Sequence, residues 1–420
     1  MKSLLFLLLP IGLLLSSCSK DLTRVEVTYT KATALYGDLN EIRSTPLIGE
    51  VQEVINPGKI FTSADVLLVG EEGKGIHVID NSNPENPVPT SFINIPFNRE
   101  FFVRNNIVYA ESHYDMVKID ISNLQQPTLV DRVENAFAQE FADNDGRTLI
   151  GFDFERVTEE LDPDDNIYNL ITAGEQEFFY FDFNQRLIPE SAVPSSFAGS
   201  SNSSVGSVNR ITYYKEHVYV VSRSELSTFS DAGKFELLNK NQTGWDMETV
   251  FPHQDRLFVG TRQSVDIYDL ADLSNPQQAG SFWHATSCDP VYPDGDVAYV
   301  TLRTGDISNC PGDENALVVL DINDIQFPQS IQEITMESPY GITLIGDRLF
   351  VGEGANGLKI FDASDRRNIA LIKHDKNIEA YDVIAHPTRS DMVLIAGPNG
   401  LGQYEVQGGT DLGLVSQIDF

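Results

Sequence analysis

Val66-Leu67-Leu68-Val69-Gly70, a turn over Glu71 to Lys74, then Gly75-Ile76-His77-Val78-Ile79-Asp80-Asn81-Ser82-Asn83-Pro84: this stretch decides the fold, because the chain repeats it. A β-rich run ends in a small residue, the chain turns, and a second run ends in Asp before a Ser/Asn/Pro corner. Arg256–Gly260 leads in the same way to Val265–Asp269, Ile107–Ala110 to Val117–Asn123, and Arg348–Gly352 to Gly357–Asp365. Val297–Val300 pairs with Val318–Asp321, and Leu170–Ala173 more loosely with Phe179–Asp182. Val218–Val221 with Phe229-Ser230, and Val393–Ala396 with Tyr404-Glu405, complete eight copies. A period near 40 residues is the signature of stacked or radial β modules.

Turn pairs such as Asn105-Asn106, Asp294-Gly295 and Gly346-Asp347 precede the first run, which suits a hairpin from an earlier inner strand. A more polar strand follows the corner, as at Pro127–Val133 and Pro276–Phe282. Four antiparallel strands per repeat around an axis predict an all-β chain: a β-propeller of four-stranded blades, eight by count of repeats, with seven the main alternative. The third repeat departs from the others. It carries an extra strand-like run, Thr148–Val157, an acidic loop, Glu159–Asn166, and a Ser-rich stretch, Ser195–Ser207, which read as insertions on a blade. Pro46–Val54 reads as an outer strand that closes the ring against the last blade, Met392–Phe420, because an open sheet edge invites pairing.

The start of the chain has Lys2, an apolar segment from Leu4 to Leu15 broken by Pro10, and then Ser16-Ser17-Cys18, the layout of a cleaved secretory signal too short to span a bilayer. It resembles a bacterial lipoprotein signal, which implies acyl chains on Cys18 and membrane contact through that anchor. The expected division is a signal over 1–17, a lipidated tether over 18–45 with a strand near Val25–Thr30, and a single propeller over 46–420. Ile76–Asp80 and its copies resemble the LVIVD repeat of bacterial and archaeal surface proteins over nearly all of the mature chain, which implies a lipid-anchored or secreted ring and names no reaction. Ser19-Lys20-Asp21 resembles a short form of the Bacteroidota surface-export signal, so the expected address is the outer membrane, facing outward.

A formal charge of −33, or −34 without Lys2, argues against nucleic acid as a partner, since binding phosphates needs a basic face. Cys288 and Cys310 remain once Cys18 is lipidated; an even pair in an exported chain reads as a disulfide, with free thiols the alternative. The repeated Asp80, Asp120, Asp182, Asp269, Asp321 and Asp362 suggest a ring of metal-binding carboxylates, yet each precedes a corner where a carboxylate caps backbone N–H groups, and capping is the expected role. No cofactor motif is read. Asp143-Asn144-Asp145-Gly146 resembles part of a calcium loop but lacks the spaced ligands and the bidentate Glu, so it reads first as a hairpin turn, with a divalent cation such as calcium the alternative. The seven histidines are scattered, with no zinc helix and no nucleophile elbow.

In a four-stranded blade, the entry to the inner strand and the loop between second and third strands share one rim. Near the inner strands stand Phe97, Phe137, Trp245, Trp283, Tyr340 and Tyr381, followed by Arg99 and Glu100, Gln139 and Glu140, Asp246 and Glu248, His284 and Asp289, and Asp382; Arg210 takes the matching place in the fourth repeat. Aromatic faces beside a few charges suit a sugar or a peptide. The competing role is wedging blades together. The leading expectation is therefore a binding module for a glycan, peptide or envelope protein, with Arg99, Glu100, Glu140, Arg210, Trp245, Asp246, Trp283, His284, Asp289, Tyr340, Tyr381 and Asp382 on its rim. The alternatives are an enzyme, such as a metal-dependent hydrolase, in the central channel using Glu or Asp with His284, and a scaffold that docks by the ring's side.

Overall fold

The computed structural model describes residues 24–137, 148–162, 167–169, 178–181, 187–188, 209–222, 224–243, 247–261, 263–284, 290–304 and 315–420. Among the described residues eight sheets form, as many as the repeats. Seven of them share one order, inner to outer strand, and are designated blades I to VII. Blade I runs through Pro57–Thr62, Val66–Glu71, Gly75–Asp80 and Val88–Asn94. Blades II to VII begin with the inner strands Phe101–Arg104, Ile211–Tyr214, Met247–His253, Val291–Asp294, Ile342–Ile345 and Asp382–Ala385, each followed by three antiparallel partners.

The second strands are apolar through their middles because both of their faces are covered. In blade I, Leu68 packs with Ile76 and Val78 against Phe101, Val103 and Val108 of blade II. Its neighbours Leu67 and Val69 point the other way, against Leu394, Ala396 and Leu401 of blade VII. The period-2 alternation of a strand thus serves two interfaces at once. Tyrosines lock neighbouring blades: Tyr219 donates to Leu273 O at 2.8 Å, from blade III to IV, and Tyr299 to Arg366 O at 3.2 Å, from V to VI. The corner aspartates cap as expected, Asp80, Asp120, Asp269, Asp321 and Asp362 each accepting the N–H two residues on at 2.7–3.0 Å. Asp182 lies outside the described residues.

The same kind of lock shows how many blades form the ring. Tyr109 of blade II donates to Asp231 of blade III at 2.6 Å, and Tyr109, Met116 and Ala136 share a core with Ile211, Val220 and Phe229. Blades II and III are therefore direct neighbours, and the sheet of the third repeat stands beside a ring of seven. That sheet joins Thr148–Leu161, Val25–Gly37, Phe178–Phe181 and Leu187–Ile188 in this order, with a parallel pairing of Val25–Gly37 to Phe178–Phe181. The strand expected near Val25–Thr30 and the extra run from Thr148 are thus partners. At the base of the sheet, Leu149 O lies 2.9 Å from His113 Nε2. The chain then forms a short helix, Leu39–Arg43, whose Arg43 binds the buried Asp115 of blade II through Nε at 2.8 Å and Nη2 at 2.9 Å.

The expected closing strand behaves differently. Ile48-Gly49 pairs with Phe92 and Ile93, adding a fifth strand to blade I, and Asn94 binds Leu47 O and Pro46 O. It does not join the last blade, which has four strands of its own, so the ring is closed by side chains between blades VII and I: the apolar cluster around Leu67 and Leu394, and a reciprocal amide pair. Asn81 Nδ2 donates to Gln403 Oε1 at 2.9 Å, and Gln403 Nε2 returns a bond to Asn81 Oδ1 at 2.8 Å.

Candidate functional site

The turn between second and third strands and the entry to the inner strand do share one face, and on it charges from four blades converge at the mouth of the central channel. Lys59 belongs to the inner strand of blade I, where the register slips between Pro57 and Ile60. It is 4% exposed, and its Nζ donates to Asn209 Oδ1, just before blade III, at 2.6 Å. Glu100 precedes the inner strand of blade II, and its Oε2 lies 3.5 Å from the backbone nitrogen of Arg210. Asp382 opens the inner strand of blade VII, 3% exposed. Lys59 feels both carboxylates. Glu72 and Glu111, at the ends of the second strands of blades I and II, and Arg99 complete the cluster.

Burial governs the ionisation of this group. It brings the Lys59 ammonium down to about 8, with Glu100 and Asp382 opposing. It pushes the Glu111 carboxyl up to about 7, helped by the like charge of Glu100 and opposed by Arg210 and Arg99. Glu72 is likewise raised to about 7 by burial, against Arg99. Glu100 is raised by burial against Lys59 and Arg210. Carboxyls that titrate near neutrality both donate and accept hydrogen bonds, and the guanidinium and ammonium groups add donors. Together they form a nearly charge-balanced polar surface suited to a ligand rich in hydroxyl groups.

At the mouth opens a cavity of about 190 Å³ between the inner strands of blades IV to VII and Asn209 just before blade III, lined also by Thr249, Phe251, Tyr292, Thr343 and Asp382. Gly341 also lines it. A Cβ there would lie 1.8 Å from Asp382 Oδ1, so the carboxylate rests against bare backbone. Glu71, next to Glu72, has a structural role: 1% exposed, it accepts the N–H groups of Ile55 and Asn56 at 3.0 and 2.9 Å and meets His77 Nε2 at 3.0 Å. Glu353 does the same in blade VI, with Glu337 N and Lys359 Nζ each at 2.9 Å.

Of the residues singled out in the sequence, Arg99, Glu100, Arg210 and Asp382 come together at the mouth. Tyr340 and Tyr381 stand beside it, with ring centroids 5.1 Å apart and planes at 74°. Trp283 ends the outer strand of blade IV, Gln277–Trp283, and is 71% exposed; His284 follows it, its N–H bound to Gln263 O, at the outer edge of the blade and away from the channel lining. The channel chemistry expected of His284 therefore has no support in its position, because the outer strand is the one farthest from the axis. Glu140, Trp245, Asp246, Asp289, the Asp143–Gly146 loop, Cys18, Cys288 and Cys310 lie outside the described residues. Among the described residues, no three His, Cys, Asp or Glu side chains are arranged to hold a metal ion. Lys59, Glu72, Glu111 and Asn209 escaped the sequence reading. The signal was there in Lys59, a charge inside an otherwise apolar strand, and in Glu111, a carboxylate directly after the run Ile107–Ala110.

Fold and mouth together define a β-propeller with a polar, partly buried charge cluster at one end of its channel. Residues 106–135, most of blade II, match the model of the LVIVD repeat, so the chain carries that repeat where Ile107–Ala110 and Val117–Asn123 had suggested it. Solved structures share the propeller over most of their length. A protein from Lactobacillus plantarum is 10% identical with TM-score 0.52, covering 86% of this chain and 94% of its own. A computationally designed protein, Ika8, is 10% identical with TM-score 0.51, covering 89% and 90%. The periplasmic gluconolactonase of Pseudomonas aeruginosa is 11% identical with TM-score 0.50, covering 84% and 96%. At these identities the likeness concerns the fold alone. By sequence, no curated protein matches the chain.

Proposed function

We propose that this propeller is a glycan-binding module of the bacterial envelope, held at the outer membrane through lipid on Cys18 and displayed outward. One observation carries the binding role: Lys59, Arg99, Glu100, Arg210 and Asp382, from blades remote in sequence, meet at the open end of a cavity large enough for part of a sugar. Keeping so many charges half-buried in one place is unfavourable unless something polar pairs with them. Hydroxyl groups fit better than a single ion because acids and bases are nearly balanced. Binding to immobilised glycans, followed by titration calorimetry, tests the reading: Glu100→Gln and Arg210→Ala weaken binding at least tenfold, and unchanged affinity in both variants would remove the site. Incorporation of labelled palmitate, lost in Cys18→Ser, tests the anchor.

A second reading, an enzyme in the channel, draws on Glu72 and Glu111, since carboxyls titrating near 7 can exchange protons with a substrate at neutral pH. Turnover of a bound glycan by the wild type that vanishes in Glu111→Gln would favour it.

A further inference from the structure

The tyrosines of this ring fall into two kinds. Tyr109, Tyr219 and Tyr299 have buried rings, and each hydroxyl donates to the next blade. Those are the wedges. Tyr340 and Tyr381 are only half-buried on the entry face, and among the described residues neither hydroxyl has a hydrogen-bond partner.

Their setting is nonetheless firmly built. Gly354, in the turn after the second strand of blade VI, has φ +54°, and a Cβ on it would lie 2.7 Å from Tyr340 Cε2 and 3.1 Å from Tyr381 Cε1. Both rings therefore rest on that turn, which is tied to Ala380 by Gly354 N to Ala380 O at 2.7 Å and Ala380 N to Gly354 O at 3.1 Å. The Arg303 guanidinium lies 4.3 Å from the Tyr340 ring centroid. Each tyrosine also immediately precedes a residue of the cavity wall, Gly341 or Asp382. The pair is thus a fixed, half-buried shelf continuous with the mouth.

We propose that Tyr340 and Tyr381 form a second subsite, which takes the next sugars of an oligosaccharide whose terminal residue enters the mouth. The inference rests on the glycan reading of the mouth and adds its substrate class: chains of two or more sugars in preference to single ones. The crossed rings, with Arg303 stacked on Tyr340, offer aromatic edges and surface for the C–H groups of a pyranose and hydroxyl and guanidinium donors for its rim, and a shelf formed before binding loses little entropy when the ligand arrives.

The test is calorimetry on the full chain with gluco- and manno-oligosaccharides of one to six residues. Affinity rises with chain length to about the third sugar. Tyr340→Ala and Tyr381→Ala lower affinity for the long sugars roughly five- to tenfold and leave the monosaccharide unchanged. Tyr340→Phe and Tyr381→Phe keep the packing, so they report on the hydroxyls even where the alanine variants fold poorly, and lower long-sugar affinity by a smaller factor. Length-independent binding with the mouth still sensitive to Glu100→Gln overturns the shelf and spares the mouth. Failure of every sugar to bind, or preference for a peptide, overturns both.

Discussion

Closing a ring by side chains alone concentrates the demand on Asn81 and Gln403, both fully buried. Gln403 also donates to Ser416 Oγ at 3.1 Å and Pro84 O at 3.3 Å, so its amide joins the third strand of blade VII to the corner of blade I. Replacing Gln403 by Ala leaves the side-chain donor and acceptor of Asn81 buried and unpaired. At about 1–3 kcal/mol for each abandoned group, the loss is roughly 2–6 kcal/mol. Unfolding entropy of about 2.1 cal/mol/K per residue over a ring of this size makes each kcal/mol worth about 1.3 °C, so Tm falls by about 3–8 °C. Scanning calorimetry and urea titration of Asn81→Ala, Gln403→Ala and the double variant measure it, with a coupling energy of at least about 1.5 kcal/mol expected. The double change to Leu, which removes both polar partners together, recovers much of the loss. A Gln403→Ala penalty under about 0.5 kcal/mol, or strict additivity in the cycle, would refute the idea that this pair closes the ring.

Three further outcomes are expected. Asp115 is held below the ordinary carboxylate range chiefly by the Arg43 guanidinium, the Asn135 N–H and Arg132, in opposition to burial; its contribution is present above the unfolded pKa and lost as pH falls through the folded one. Proteolysis between Arg24 and Arg43 should accordingly accelerate below about pH 4 in the wild type and be fast at all pH values in Asp115→Asn. Glu111 has the opposite sign: raised from 4.5 to about 7, it favours the folded state at low pH, and that contribution is lost as pH rises through 7. The Tm advantage of Glu111→Gln over wild type should therefore grow between pH 5 and pH 8, and a constant difference would exclude a buried carboxyl there. Gly341→Ala places a methyl group against Asp382 and should cost about 1–3 kcal/mol in chemical denaturation while weakening glycan binding in the same sample.

The propeller was readable because its repeat is a physical necessity. Val66–Gly70 is apolar on both faces since blades flank it on either side, and Asp80 recurs since each corner needs a cap. The ring size was harder to read: the third repeat looks like a blade in isolation, and what draws its sheet aside is Val25–Gly37, whose pairing with Thr148–Leu161 spans more than a hundred residues of sequence. The closing strand was misplaced for a related reason. Every outer edge presents the same backbone groups, and the choice of blade I was made by local bonds from Asn94 to Pro46 and Leu47. At the mouth, residues beside the inner strands were found by position, whereas Lys59, Glu72 and Glu111 sit inside or just after strands, where a polar residue reads as a fault in the pattern until the channel is seen.

The join between blades I and VII has a topological consequence. With no strand shared across it, every blade is whole, and the join differs from the other six junctions mainly in lacking a covalent connection. Linking Phe420 to Pro46 across it, without the residues that precede Pro46, and reopening the chain at an exposed turn such as Asn105-Asn106 would redraw the order of synthesis while preserving the set of blade neighbours, so such circular permutants should reach the same ring. The same property lets blades be gained or lost as complete cassettes, with the curvature of the assembly deciding how many can be seated.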